Sequence, residues 1–510
     1  MTTNSVKNSI ITNYLNAGYI YTTMQPKSRI LSAIFFITFL LHPCFAADEL
    51  PNFGSSGTTI LSKEQEQQLG ELIATQIRSS PLSVTDPLIT DYIQNLGGRL
   101  VSHSNMAGEP FRFFVLKDPR INAFATPGGN IAVHTGLIVA ARNESELAGV
   151  MAHEIAHITQ RHIVRYVERS KQFSLPTLAA ILGSILIATQ NPTAGTGALA
   201  ATMGAAQQMA INFTRENEQE ADRVGIQLLA DSGFNPMGMS DFFARMQQAN
   251  RYNEMAYPEF LRTHPVTQAR IADTIARAEK VVPNKIRENP EFYLIQNRIA
   301  VLFADNLQAA VKYYQHTLTK EPTANQNATR YGYAVALYRS KQYAAAQNEI
   351  NLLLDKNSNE VAYQLLAAEI DYDSGNTDNA LKRLAEQLVA HPHNHAITMA
   401  YANLLLQNSH QQAADLQKAL TVLREQRFYN PEDPELYELL AQAQAANGNS
   451  AQAHQSRAEY LALLGDIHGA IAQLDIAIKQ NKGSKYDLAR IKARRTQLAN
   501  QQKVLEDRDW

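Results

Sequence analysis

The chain has 510 residues, 45% of them apolar, enough for more than one domain with a substantial core. Lysine plus arginine (46) nearly balances aspartate plus glutamate (48), so there is no basic field for nucleic acid and no polybasic anchor for a membrane surface. One cysteine, Cys44, rules out a disulfide framework, and its scarcity fits an oxidising compartment.

Residues 1–23 are polar and without pattern. Lys27 and Arg29 then form a basic n-region, Ile30 to Leu41 an apolar run, and Cys44-Phe45-Ala46 a cleavage-type site. A signal peptide over 1–46 is expected, removed after Ala46; initiation at Met24 would make it a more ordinary one. The apolar run is short for a membrane-spanning helix. Pro43 stands where lipidation at Cys44 would want a small residue.

Leu61 to Leu100 reads as helical, with Ser62 as cap and Ile73, Ile77, Ile89, Tyr92, Ile93 and Leu96 at helical spacing. Phe111 to Leu116 reads as a strand. Ala123–Thr126 and Ile131–Thr135 read as two more, joined by the turn Pro127-Gly128-Gly129-Asn130. A strand of this hairpin beside an active site could pair with an extended peptide, and Asn122, Ala123, Phe124 and Ala125 are the candidate edge. His134 reads as structural rather than as a ligand.

Val150 to His162 carries His153-Glu154-Ile155-Ala156-His157. On a helix, residues four apart share a face, so both imidazoles can point at one ion, a spacing that suits Zn²⁺. Glu154, next to the first ligand, can act as general base toward a water activated there. Asn143 and Glu146 make a capping-box-like helix start.

Two apolar runs follow, Leu175–Ala188 and Ala198–Ile211, neither of membrane-spanning length. A buried or lid-like helical hairpin is expected over 175–211, with peripheral membrane contact as the functional alternative. Further on, Glu218 and Asp222 lie four apart on a helix. Glu218 is the candidate third ligand, and Asp222 could fix the tautomer of a ligand histidine. His264, before Pro265, could be a fourth ligand, a transition-state hydrogen-bond donor, or a capping residue. As a fourth ligand it would fill the position a catalytic zinc keeps open.

Composition shifts between Pro283 and Pro290, which places a boundary there. Beyond it the chain is helical, with Ala310, Ala346 and Ala380 recurring at intervals of 36 and 34. Pro322, Pro392 and Pro431 each follow a matching alanine by 12 residues, and Gly375, Gly448 and Gly465 precede one by five. This is a degenerate 34-residue tetratricopeptide pattern, which stacks helix pairs into an α-solenoid offering a surface to a peptide or partner.

The order His153-Glu154-x-x-His157, then Glu218-x-x-x-Asp222, after the Asn122–Gly129 hairpin, resembles the zinc metallopeptidases that include the CAAX-prenyl proteases and bacterial HtpX. The resemblance is motif-specific over residues 110–275. It implies a mainly α chain: an α+β gluzincin-type metallopeptidase domain with a small β-sheet over 47–285, then the tetratricopeptide solenoid over 290–510. It implies one Zn²⁺ per chain on His153, His157 and Glu218, Glu154 as general base, and His264 capping the zinc to hold the enzyme latent. Membrane-embedded members carry spanning helices between the two zinc motifs, where this chain has only the short apolar runs. Relatives with this architecture act in the periplasm on unfolded or stalled outer-membrane β-barrel proteins, alongside the barrel assembly machinery. They assist assembly and degrade misassembled clients. The alternative is a non-proteolytic scaffold or chaperone with a structural zinc site.

Overall fold

Ser62 starts a helix because its hydroxyl accepts the Gln65 amide (3.2 Å) while the Gln65 side chain accepts the Ser62 amide (2.9 Å), a reciprocal cap. Helix α1 (Lys63–Ser79) follows, then α2 (Pro87–Val101). The stretch read as helical over Leu61–Leu100 is thus two helices. Pro81 and Pro87 interrupt it, and Pro87 sits at the first turn of α2, where its missing N–H costs nothing. The computed structural model describes residues 62–165, 215–252, 259–283, 286, 289–320, 325–408 and 413–506. The signal segment expected over 1–46 and the apolar runs of 175–211 lie outside the described residues.

Three strands, β1 (Arg112–Leu116), β2 (Ala123–Thr126) and β3 (Asn130–His134), form a sheet in the order β1-β3-β2. The hairpin pairs β2 antiparallel to β3, while β1 runs parallel to β3 with Phe114 opposite Ala132. Gly128 (φ 78°) and Gly129 (φ 80°) supply the left-handed turn that closes the hairpin. Strand β2 is therefore an edge of the sheet.

Helices α3 (Thr135–Ala140), α4 (Glu144–Thr159), α5 (Arg215–Asp231), α6 (Met237–Tyr252), α7 (Glu259–Thr263) and α8 (Gln268–Ala278) follow; α3 and α4 pack on the sheet, α5 and α6 pack on α4, and α8 packs on α5 and α6. Helix α4 is buried from Glu144 to Ile158, so every charge on it needs a partner inside the protein. Asn143 caps it by accepting the Glu146 amide (2.9 Å). Glu146 does not close the box: it takes the amide of Arg142 (2.7 Å) and pairs with Arg245. Helix α5 comes close to α4 because Gly225 has no side chain. A Cβ there would sit 3.2 Å from the His153 backbone nitrogen.

From Glu291 the chain is a helical repeat region, α9 to α20 among the described residues. These are Glu291–Leu302, Leu307–Lys320, Gln326–Arg339, Tyr343–Leu354, Val361–Asp373, Thr377–Ala390, His395–Asn408, Ala413–Tyr429, Pro434–Ala446, Ser450–Leu463, Ile467–Gln480 and Lys485–Glu506. The recurring alanines explain the period: Ala346, Ala380, Ala419 and Ala470 are fully buried where a second helix presses in. Gly375, Gly448 and Gly465 take positive φ at helix ends. Lys341 (φ 60°) holds the matching place five residues before Ala346, without a glycine's freedom.

Apolar packing is continuous from Val84 in the first part to Ala419 in the repeats. Polar clamps reinforce the junction. Arg298 on α9 binds Asp86 at 2.8 Å, and Gln296 donates to the carbonyls of Ile138 (3.1 Å) and Ala141 (2.7 Å). Glu432 pairs with Arg78 and Arg112, each at 2.5 Å. His395 on α15 lies between Asp91 on α2 (2.8 Å) and Asp433 (2.7 Å).

Burial alone would lower the His395 pKa, but the two carboxylates outweigh it and push it up to about 10. Unfolded, it titrates near ~6.5. The stabilisation is therefore fully present below that pH and is lost as pH rises toward 10. His395→Gln is expected to lower stability clearly at pH 6 and progressively less at alkaline pH, read from urea unfolding of both proteins across the range. Parallel curves with a constant gap would remove the charged clamp.

Candidate metal centre and active site

Helix α4 brings His153 and His157 to one side, α5 brings Glu218, and the turn after α7 brings His264. One nitrogen or oxygen from each of the four lies within 4.8 Å of all the others, and all four residues are buried. His153 Nε2 is 3.0 Å from His157 Nε2 and 3.2 Å from His264 Nδ1. Glu218 oxygens lie 3.5 Å from His153 Nε2, 3.4 Å from His157 Nε2 and 3.1 Å from His264 Nδ1. The five separations of 3.0–3.5 Å are of the size found between ligand atoms of a four-coordinate site with bonds of about 2.0 Å. Three imidazoles and one carboxylate at this spacing fit a divalent metal of that kind.

The electrostatics favour positive charge at the centre. Burial would raise the Glu218 carboxyl, but His264 and Arg270 hold it well below the usual range. Burial would lower His153, but Asp222 and Glu218 push it up to about 9, so proton and metal compete for that ring. Burial and repulsion from His153 push His157 well down, leaving it neutral as a ligand must be.

Supporting residues fix the ligands. Asp222 Oδ1 is 2.9 Å from His153 Nδ1, an ion-pair distance without hydrogen-bond geometry, and its charge on that side favours a proton on Nδ1 and leaves Nε2 for a metal. Arg270 on α8 grips Asp222 with two nitrogens (2.6 and 2.8 Å) and reaches Glu218 with the third (2.7 Å). The other face of its guanidinium lies over the Phe243 ring, 4.8 Å from the centroid. His162 Nδ1 is 2.9 Å from His157 Nδ1, and its Nε2 is 3.0 Å from Glu220. With Nε2 of His157 on the metal, its Nδ1–H donates to His162, and His162 donates onward to Glu220. Burial pushes His162 down to about 4, which keeps it a neutral acceptor.

Arg270 and His162 escape the sequence reading. Arg270 looks like one of two arginines on an amphipathic helix. Its only signal is its place six residues after His264, just inside a helix that Thr267 caps. His162 lies five residues beyond His157, off the helical i, i+4 rule, and reaches back because Arg161 turns the chain with φ 54°.

Glu154 faces the same centre. Its Oε2 accepts the Ala125 amide at 2.9 Å, while Oε1 lies 3.3 Å from His264 Nε2 without hydrogen-bond geometry. Burial raises its pKa, and the lowering by His264 and His153 is smaller. Asn122 O pairs with the His134 amide (3.0 Å), so by strand alternation Ala123 and Ala125 turn their backbone groups away from β3, toward α4. Asn122 and Ala123 are buried, Phe124 and Ala125 half-buried. His134 is buried, edge-on to Phe124, and 3.6 Å from Asp118; it is not in the four-residue cluster. Burial pushes it down to about 4. His264 is not the N-cap of α8, which is Thr267; its amide closes the last turn of α7 on the Phe260 carbonyl (2.8 Å). It follows α7 and stacks on Phe260 with ring centroids 4.9 Å apart.

A buried His-His-Glu-His cluster on a His-Glu-x-x-His helix, with a carboxylate at a strand edge, defines a metallopeptidase. Residues 87–278 match the peptidase family M48 profile. The chain belongs to that family, and within it stands with the beta-barrel assembly-enhancing proteases. It is 38% identical over 460 residues to the one from Escherichia coli (strain K12), covering 89% of this chain and 93% of the relative. It is 36% identical over 453 residues to that of Yersinia pestis, covering 89% and 92%. Mitochondrial metalloendopeptidase OMA1 of Schizosaccharomyces pombe is 29% identical over 183 residues, 36% of this chain and 51% of the relative.

Proposed function

We propose that this metalloprotease is a zinc-dependent endopeptidase of the periplasm, acting on extended segments of unfolded or stalled outer-membrane β-barrel proteins and held latent by His264. In this reading it also assists their assembly, and the repeat region (290–510), a tetratricopeptide solenoid, docks the client or the barrel assembly machinery. The peptidase domain spans 47–285 after removal of 1–46. The observation that carries the reading is the Glu154 carboxylate, anchored on the outward amide of Ala125 and aimed at the four-ligand cluster.

His153, His157 and Glu218 would hold the zinc, with His264 as fourth ligand. The bound ion supplies a Lewis acid for the scissile carbonyl and lowers the pKa of water at the site to about 7. Glu154 takes a proton from that water and returns it to the leaving amine, a task its raised pKa suits. Asp222 keeps His153 in the ligand tautomer. With the Ala125 amide held by Glu154, the outward carbonyls of Ala123 and Ala125 and the Ala123 amide are left for strand pairing, which selects extended over folded substrates. The names of the relatives support the barrel-assembly role. Among the described residues no helix is long and apolar enough to cross a membrane. The 175–211 segment remains the candidate for membrane contact.

The second reading gives the chain a scaffold or chaperone role with a structural zinc. The presence of His264 Nδ1 in the cluster favours it, because four protein ligands make a closed site. Cleavage of an unfolded model protein by residues 47–510 with zinc supplied separates the two. His264→Ala is expected to cleave about tenfold faster or more than wild type, as release of a competing ligand would allow. Zinc-loaded wild type and His264→Ala that both fail to cleave would favour the scaffold. Activity that His264→Ala abolishes would make His264 a catalytic donor.

A further inference from the structure

A cavity of about 420 Å³ lies where the start of α2 meets α9, α13, α15, α17 and α18 of the repeats. It is separate from the metal cluster and shares no residue with it. Its lining has two characters. Leu88, Leu365 and Met399 are buried and apolar, with half-buried Leu439 and Tyr460 beside them. Four carboxylates, Asp86, Glu369, Glu435 and Glu438, share the lining with one guanidinium, that of Arg298.

The charges do not balance. Arg298 is committed to Asp86 at 2.8 Å and reaches Glu369 only at 3.5 Å. Glu438 pairs with Arg457 from outside the lining. Glu435 forms no salt bridge among the described residues, and its neighbour Asp433 already holds His395. Burial, together with Asp433 beside it, pushes the Glu435 carboxyl up to about 7. Near neutral pH such a carboxyl is partly protonated, and a cation arriving from elsewhere would favour its ionised form.

We propose that this cavity binds a lysine or arginine side chain presented by an extended polypeptide segment, with the cationic head at Glu435 and the alkyl stem against Leu88, Met399 and Leu439. The chemistry matches each half of that side chain: an aliphatic stem for the apolar wall and a charged head for the unpaired acid. The volume suits one such side chain with its backbone and falls at the small end of ligand sites. Because the walls come from both α2 and the repeats, the occupant touches the peptidase part and the repeat part at once. The inference rests on the reading that extended client segments are what this protein handles.

The test uses the full mature chain carrying Glu154→Gln, so that binding is read without cleavage. A short fluorescein-labelled peptide, Gly/Ser with a central Leu-Arg-Leu-Arg-Leu, is titrated by anisotropy beside its Leu-Glu-Leu-Glu-Leu analogue. The arginine peptide is expected to bind tighter, and more weakly as salt rises. Adding Glu435→Arg should weaken it about tenfold and improve the glutamate peptide, as reversal of one close charge pair implies. Glu435→Gln, which keeps the shape, should weaken it about threefold. Reversal of an exposed acid elsewhere, Glu386→Arg, should change nothing. Equal binding of the two peptides, or Glu435 variants that bind like the parent, overturns the proposal. So does displacement of the peptide by spermidine at equal concentration, which would make the cavity a polyamine site. Cleavage by the wild-type chain is measured in parallel; its failure with binding intact counts against the protease reading alone.

Discussion

Glu154→Gln is expected to reduce peptide cleavage by about 10²–10⁴-fold, the range for loss of a positioned general base. The substitution is nearly isosteric, and its amide oxygen can still accept the Ala125 amide that Glu154 now accepts at 2.9 Å. What it loses is the ability to carry a proton. Metal content should not change, because Glu154 is not one of the four clustered ligands. Stability has a definite sign. Burial raises the Glu154 carboxyl above its unfolded value, so its ionisation costs the folded state more as pH rises through the two pKa values. Above that window the neutral amide is free of this cost, and without metal the melting temperature of Glu154→Gln should equal or exceed that of wild type. Three measurements decide it: kcat on an unfolded protein, metal per chain, and thermal unfolding at pH 8. More than a tenth of wild-type kcat at full metal loading would sink the role given to Glu154.

How far the sequence alone reaches depends on whether the determinant is local. Helix periodicity puts His153 and His157 on one face whatever surrounds them. Ser62, Asn143 and the turn at Gly128-Gly129 are set by backbone groups within a few residues, and the structure places a reciprocal cap, a helix start and a hairpin there. Small-residue spacing likewise marks the repeats, since Ala346, Ala380 and Ala419 must be small where a neighbouring helix comes close. Long-range pairings carry no such mark. Nothing near Arg112–Leu116 says that it runs parallel to β3. Nothing in the repeats says that Arg298 and His395 reach back to Asp86 and Asp91, because charges on a helix read equally well as a solvated face. The same ambiguity hides His162 and Arg270, whose partners lie 58 and 48 residues away.

Arg270 carries the second large effect. Its guanidinium is 5% exposed and makes three contacts of 2.8 Å or less to two buried carboxylates, Asp222 and Glu218. It also donates to the Pro265 carbonyl at 3.2 Å, which ties the His264-Pro265 turn to the same charge network. Arg270→Met keeps much of the volume and removes the charge, leaving both carboxylates in a dry site with one cation fewer. Breaking a buried pair in this way costs about 3–5 kcal/mol, and loss of the groups that orient metal ligands typically costs about 10–100-fold in metal affinity. Both should fall together, read from guanidinium unfolding and from competition with a chelator. Arg270→Lys should rescue little, since a single ammonium cannot span Asp222 bidentately and reach Glu218 as well. Asp222→Asn in the Arg270→Met background should recover part of the stability, because it removes one of the stranded charges, though not the metal affinity, because a neutral amide oxygen holds the His153 ring less strongly than the carboxylate does. If Arg270→Met unfolds within about 1 kcal/mol of wild type, the pairing is a solvated one and the network beneath the ligands is not what holds them.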